Sequence, residues 1–349
     1  MRMKIALSVV AAVTLSAMPA LSQDTCGNRG QLDTMYCDEN NDLVADAPLD
    51  VAKQKDPPTL VFSYSPVEDP AVYQKLFKPF TDYLGQCVGK RVVYFPVQSN
   101  SAEIEAMRSG RLHVAGFSTG PTVFAVNLAG AVPFAAKGTA EQMRGYHLIS
   151  LVKKESSYQM LSDLKGKRVA HTAPSSNSGH LAPLVLYPPE GLKPNDDYKP
   201  LMSGGHDKSV LGLASGDYDM AGVASDVFDR MVTRDTIKRD DFRIIYESPI
   251  FPTSSFAYAH DLKPELAKKI VDCFFTFRFT PDMTKGFNGD DRFVPINYLK
   301  DWAIVRDVAE KSGMPYNRNA YNAEASREAD AAARKAAEEA AKQQGAPKQ

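Results

Sequence analysis

From Thr59 onward the chain alternates short apolar runs with amphipathic segments: "TLVFSY", "VYQKLFKPFTDYL", "RVVYFPV", "AEIEAMRSG", "LHVAGF", "TVFAVNLAG" and "VPFAA". Short apolar runs bounded by polar turns read as buried strands, while Tyr73, Leu76, Phe77, Phe80 and Leu84 fall at helical spacing. Pro79 lies inside that helix, where its missing N–H predicts a kink. Strand, helix and strand in succession predict βαβ units with parallel sheets. The alternation resumes after Lys154 with "KRVAHT", a helix from Ser178, "VLGLASG", "YDMAGV", a helix from Ser225 and "FRIIYES".

The two runs share an echo. Ser109 to Gly116 and Ser215 to Gly222 both read "S-G-x-[LY]-x-[VM]-A-G". In each copy the glycine after the serine suits the left-handed residue that ends a helix, and a strand follows. The far ends of those strands carry Ser118 and Thr119 in one copy and Ser225 and Asp226 in the other. Two similar α/β lobes are therefore expected. The first is assigned to residues 59–150, the second to 151–247, and a return to the first to 248–316. The segments 145–154 and 244–260 are the candidate crossings. Ligands of open α/β sheets bind beyond the carboxyl ends of the strands, so facing lobes would share one cleft.

The chain ends are different material. Residues 1–22 place Arg2 and Lys4 before an apolar run that closes on small residues, the pattern of a secretory signal peptide, with export to the periplasm expected. No later run approaches the length of a membrane span. The formal charge of −1 becomes about −3 once Arg2 and Lys4 are removed, which gives no electrostatic reason to expect nucleic acid. Residues 23–58 read as a polar appendage and linker. The four cysteines fit an oxidising compartment and no zinc spacing. Closing the short Cys26–Cys37 loop leaves Cys87 and Cys273 as a long-range pair, which would tie the C-terminal helices from Pro264 to the first lobe. Within "CDENNDLVADAPLD", Asp38, Asn40, Asp42 and Asp46 stand at calcium-loop positions one, three, five and nine. Leu43 and Leu49 occupy the positions of the usual glycine and glutamate, so a solvated acidic turn is expected, with no cofactor. Residues 317–349 carry alanine and charges of both signs without an apolar stripe, and predict a solvated helix or disorder.

The densest chemistry lies in "HTAPSSNSGH". A helix N-terminus carries unpaired N–H groups and the positive end of a dipole, which suits an anion. Ser175, Ser176 and Ser178 add hydroxyl donors, Asn177 adds an amide, and Gly179 permits close approach. One serine would suffice as a cap. The surplus, with no Walker A lysine following, predicts an oxyanion cradle rather than a nucleotide site. Tyr64 and Ser65 after the first strand, and Phe117, Ser118 and Thr119 after a later one, are candidate partners from the first lobe. His206 is a candidate donor, and Asp207 either attracts an ammonium group or caps its helix. His113 and His171, inside apolar strands, read as structural. Ser178 and His180 do not share a helix face, and neither a G-x-S-x-G elbow nor HExxH occurs, so an enzyme is not expected.

"LVFSYSPVEDP", "MRSGRLHVAGFSTG", "DLKGKRVAHTAPSSNSGHLAP", "SGGHDKSVLGLASGDYDMAGVASD" and "YESPIFP" together resemble the periplasmic phosphate, phosphite and phosphonate binding proteins of ABC transporters. The resemblance spans residues 59–312. It implies a two-lobed type II periplasmic binding protein fold that closes on a small oxyanion and docks on a membrane permease; a monomer is expected. It assigns the phosphonate oxygens to Ser176, Asn177, Ser178 and Gly179, places His206 against the anion, and gives Asp207 the ligand amine in aminoalkylphosphonate binders. Phe117 stands where the family commonly has tyrosine. A periplasmic sensor and a phosphoester hydrolase or transferase are the alternative roles.

Overall fold

The computed structural model describes residues 26–140 and 142–344; the signal peptide expected at 1–22 lies outside them. Two sheets form the scaffold. The strands of lobe 1 are β1 (Thr59–Tyr64), β2 (Arg91–Tyr94), β3 (Val114–Phe117), β4 (Ala131–Gly138), β10 (Ser255–Ala259) and β11 (Arg292–Pro295), and lobe 2 has β5 (Gly145–Lys153), β6 (Val169–His171), β7 (Leu201–Met202), β8 (Met220–Ala224) and β9 (Phe242–Pro252). Their orders are β11-β4-β10-β3-β1-β2 and β7-β6-β8-β5-β9. Helices α1 (Pro70–Val88), α2 (Asn100–Arg108), α3 (Thr119–Ala129), α7 (Pro264–Thr276), α8 (Pro281–Gly286), α9 (Tyr298–Asp301) and α10 (Ala303–Lys311) belong to lobe 1; α4 (Ala182–Leu186), α5 (His206–Ser215) and α6 (Ser225–Thr233) belong to lobe 2. A final helix, α11, runs over Arg318–Gln344.

The expected parallel pairing holds for β1 with β2 and β3, and for β6 with β7 and β8. The return strands do not follow it. β10 lies antiparallel between β3 and β4, and β5 lies antiparallel between β8 and β9, so both sheets are mixed. A chain that leaves lobe 1 and later re-enters it has to lay its return strand beside strands already in place. Because β5 and β9 both pair within lobe 2, the crossings fall between Gly138 and Gly145 and between Pro252 and Ser255, a few residues outside the 151–247 span read from the sequence.

The core follows from the apolar faces. α1 buries Tyr73, Phe77, Phe80 and Leu84 against Phe62 of β1, and it runs unbroken through Pro79. Phe80 also meets Phe274 of α7 edge to face, with ring centroids 4.6 Å apart. Cys87 pairs with Cys273 and Cys26 with Cys37, the pairing expected from the sequence. The long-range disulfide joins α1 to α7 and so locks the returning chain to lobe 1.

The appendage docks on lobe 1: Tyr36 stacks edge-on against His260 and donates to Leu128 O at 3.3 Å. In the calcium-like loop the buried Asp38 carboxylate accepts the N–H groups of Asp42 and Leu43, both at 3.0 Å. Asp42 accepts from Val44 N–H and Asp46 from Glu39 N–H. The turn is held by its own backbone.

The tail departs from the expectation of a solvated helix in its first three turns. Tyr321 and Glu324 are buried. Tyr321 donates to Ser101 O at 2.9 Å, Glu328 accepts from Ser101, and Arg318 pairs with Asp33. Glu324 accepts the Ser175 N–H of lobe 2 at 2.6 Å. A tyrosine and two glutamates at helical spacing make a docking stripe that alanine-rich surroundings conceal. Among the described residues no helix is long and apolar enough to cross a membrane.

Candidate functional site

The lobes meet over a cavity of about 50 Å³, room for a few water molecules. Three helices end on it. Ser118, Gly205 and Ala224 are the N-caps of α3, α5 and α6; all three line the cavity, and none gives its helix a side-chain cap. Elsewhere α1, α2, α8 and α9 are capped by Asp69, Ser99, Thr280 and Asn297, while α4, α7 and α10 lack a side-chain cap, so it is the convergence of three such ends that marks the cavity. First-turn N–H groups without a side-chain acceptor, gathered at one point, form a positive cradle.

The serine loop supplies a fourth wall. After β6 the chain makes a single π-helical turn, Asn177–Leu181, that runs into α4. Ser176 Oγ accepts the Gly179 N–H at 3.0 Å. A methyl group on Gly179 would collide with Thr172 Oγ1 and Ser176 Oγ, so only glycine allows this turn to close. Ser176, Asn177 and Ser178 line the cavity. Tyr146, which sequence reasoning missed, also lines the cavity, and its phenol oxygen accepts from the Asn177 amide at 3.2 Å.

His206 also reaches the cavity, and its tautomer is set by its neighbours. Its Nδ1 accepts the Ala224 N–H at 3.1 Å, and burial pushes its pKa down to about 4. The ring is therefore neutral with its proton on Nε2, 3.4 Å from Ser176 Oγ. It is a donor held in place.

Five of the residues singled out from the sequence stand elsewhere. Phe117, the last residue of β3, is fully buried in the core and does not line the cavity. Ser65 is buried beneath the site: it donates to Glu103 and accepts the Ser118 N–H at 2.9 Å. It supports the α3 end without lining the cavity. Ser175 is buried and does not line the cavity; its hydroxyl accepts from Asn100 of lobe 1 at 3.1 Å. Gly179 acts through its backbone. Asp207 sits in the first turn of α5, off the cavity, and burial raises its pKa.

The largest omission is an ion cluster. Arg230 of α6 lines the cavity and is buried between Glu68 at 2.8 Å and Asp226 at 2.7 Å. Arg234 also pairs with Glu68, and Tyr73 donates to Glu68 at 2.8 Å. Burial alone would raise the two carboxyl groups, but the guanidinium groups hold both below their usual values. Two cations face two anions, so the wall has no net charge. Glu68 follows β1 in lobe 1 while Arg230 and Arg234 belong to lobe 2, so the cluster also fastens the closed arrangement.

A family model described as "ABC transporter, phosphonate, periplasmic substrate-binding protein" matches residues 62–302. The chain belongs to that family. As a member it is a ligand-binding component of a transporter, not an enzyme, and His180 agrees, since its Nδ1 is engaged 2.8 Å from His171 rather than with Ser178. The phosphonates-binding periplasmic protein of Escherichia coli is 24% identical over 250 residues, 68% of this chain and 74% of its own. A phosphate-import protein of Mycolicibacterium smegmatis is 28% identical over 244 residues, 66% of this chain and 75% of its own. Among solved structures, a binding-protein component of an ABC phosphonate transporter from Pseudomonas aeruginosa aligns with a TM-score of 0.66 at 20% identity, covering 81% of this chain and all of that one. A Prochlorococcus marinus protein in complex with methylphosphonate also gives 0.66, at 18% identity over 74% and 99% of the two chains. These likenesses establish the two-lobed type II fold.

Proposed function

We propose that this phosphonate-family protein captures a small phosphorus oxyanion, a phosphonate, phosphite or phosphate, in the interlobe cavity and delivers it to an ABC permease from the periplasm. The observation that carries the reading is the convergence of three helix N-termini without side-chain caps on one cavity. An anion entering there exchanges its hydration for preset N–H and O–H donors. The donors proposed are the Ser118, Ser176 and Ser178 hydroxyls, the His206 Nε2–H and the first-turn N–H groups, that of Thr119 among them, since the Thr119 hydroxyl donates to Pro252 O at 2.9 Å. The ion cluster is neutral overall, so dipoles rather than net charge hold the ligand. Closure of the lobes completes the site, the hinge motion expected of such proteins. The size of the cavity favours a compact head group, and the N-terminal leader supports export.

Calorimetry with methylphosphonate, phosphite, phosphate and sulfate on ligand-stripped mature protein tests this. One phosphorus oxyanion should bind tightly, and Ser176→Ala with Ser178→Ala should weaken it at least about tenfold, given roughly 1.5–3 kcal/mol for a hydrogen bond to a charged group. Unchanged affinity in that double variant removes the serine cradle. No binding of any of the phosphorus anions removes the ligand class.

A further inference from the structure

Beneath the cavity lies a cation that the neutral cluster does not account for. Lys137, on β4, is almost wholly buried. Its Nζ sits 5.0, 5.7 and 5.2 Å from the ring centroids of Tyr64, Phe256 and Phe287. The carboxylates of Asp226 and Asp290 feel its charge, yet they are ion-paired with Arg230 and Arg144. Among the described residues Lys137 makes no ion pair of its own; its hydrogen-bond partner is Tyr64, whose phenol oxygen lies 2.8 Å from Nζ.

That contact has a fixed direction. An ammonium group has donors only, so the Tyr64 oxygen accepts. The same oxygen lies 2.9 Å from Ser254 Oγ. Tyr64 and Ser254 carry one hydroxyl hydrogen each, and one of the two is used between them. The other is left for the cavity, which both residues line. Whichever hydroxyl points inward, it is polarised by a buried cation behind it.

We propose that Lys137 is the charge-selecting residue of this site: through Tyr64 and Ser254 it turns one wall into a net hydrogen-bond donor and supplies the unneutralised positive charge that favours a doubly over a singly ionised oxyanion. The inference rests on the oxyanion reading above. It goes beyond that reading in assigning the preference to a residue that does not touch the ligand. Lys137 is thus a positioning residue, acting through the Tyr64–Ser254 pair.

The test follows methylphosphonate, which gains its second charge near neutral pH, beside methanesulfonate, which has the same shape, stays singly charged and should show no rise in affinity with pH in either protein. The groups facing Lys137 are Tyr64 on β1, Asp226 and Arg230 on α6, Arg144 before β5 and Asp290 before β11. Glu103 and Glu324 titrate in the same pH range but remain in both proteins compared, so their effect cancels. Affinity of the wild type for methylphosphonate should rise from pH 6 to pH 8.5. In Lys137→Met that rise should flatten, with a loss of at least about tenfold at pH 8.5, the scale of a charge-assisted bond, and much less at pH 6. Methionine matches the length of the lysine stem, and because no salt bridge to Lys137 is present among the described residues its replacement breaks no buried ion pair. Should Lys137→Met fail to fold, Tyr64→Phe keeps the cation and cuts the connection; it should lower affinity by a similar factor at both pH values and keep the slope. An equal loss at both pH values in Lys137→Met, or none, overturns the proposal. Wild-type protein that binds neither phosphonate nor phosphate overturns the oxyanion reading and this inference with it, whereas binding with an unaltered pH slope overturns this inference alone.

Discussion

The two copies of the sequence echo build matching corners of the cleft with opposite electrical character. In each, a glycine at positive φ, Gly110 or Gly216, ends a helix and starts a fully buried strand, β3 or β8. Each strand carries a glycine pressed by an aromatic residue, Gly116 under the Tyr64 ring and Gly222 under the Tyr187 hydroxyl. Each then turns into a helix whose N-terminus opens on the cavity without a side-chain cap. Beyond that point they diverge. α3 is wholly buried and uncharged, and Trp302 Nε1 donates to Thr119 O at 3.0 Å to pin its first turn. α6 carries Asp226 and Arg230 and reaches across to Glu68. The shared backbone path places N–H donors for a ligand; the charges on one copy alone serve to hold the lobes together.

Breaking the charged corner should have the largest effect. Arg230→Met leaves Glu68 and Asp226 buried with their chief partner gone, and removing one member of a buried ion cluster costs about 3–5 kcal/mol. Urea unfolding should show a loss of that size. Replacing Glu68, Asp226 and Arg230 together by apolar residues of similar volume should restore most of the stability while ligand binding stays impaired. A stability change below about 1 kcal/mol in the single variant would mean that the cluster, though buried, does not hold the lobes together.

The neutral corner offers a smaller and more selective lesion. A methyl group added to Gly120, at the start of α3, would run into the Ser175 carbonyl of the other lobe. A backbone carbonyl cannot rotate away as a side chain can, so the lobes would have to part. Gly120→Ala should therefore act on closure rather than on the fold of either lobe. Overpacking of this kind costs about 1–3 kcal/mol, or roughly 5- to 140-fold in affinity. Thermal unfolding without ligand should shift little, and unaltered ligand affinity would contradict the contact.

Much of this contrast was legible beforehand, but unevenly. The strands, the helices, the echo and the serine loop announce themselves through periodicity and a surplus of donors, which are local signals. Asp226 and Arg230 stand four apart and so could be read as a helical pair, yet nothing local shows that Glu68, 162 residues away, completes the cluster. Lys137 is the same case, a lysine in an apolar strand whose role depends on rings and hydroxyls from β1, the second crossing and the segment after α8. Phe117 and Ser65 differ in the opposite sense: their neighbourhood in sequence is right, but both side chains are buried behind the cavity, which only the packing of the sheet decides. Tyr321 and Glu324 were hidden because two polar residues in an alanine-rich helix carry no hydrophobic periodicity.

The tail links the two corners and gives the smallest of these effects. α11 sits on α2 of lobe 1 through Tyr321 and Glu328, and Glu324 reaches past it to the Ser175 N–H of lobe 2. The family match ends at residue 302, before this strap begins. Burial is the chief cause that pushes the Glu324 pKa from 4.5 up to about 7, against the Ser175 hydrogen bond, which lowers it. A carboxyl group that holds its proton more tightly when docked than when free favours docking in acid. That advantage is complete below about pH 4.5 and fades as pH rises through about 7. Hydrogen exchange in residues 318–328 should accordingly quicken between pH 5.5 and pH 8, beyond the intrinsic base catalysis of exchange, by a factor on the order of ten. Glu324→Gln keeps an oxygen for the Ser175 N–H but cannot ionise, so it should remove that extra acceleration while leaving the helix docked. Should the wild type and Glu324→Gln show the same corrected pH dependence, the carboxylate is a passive contact. The contrast between the two corners would then owe nothing to the strap that spans them.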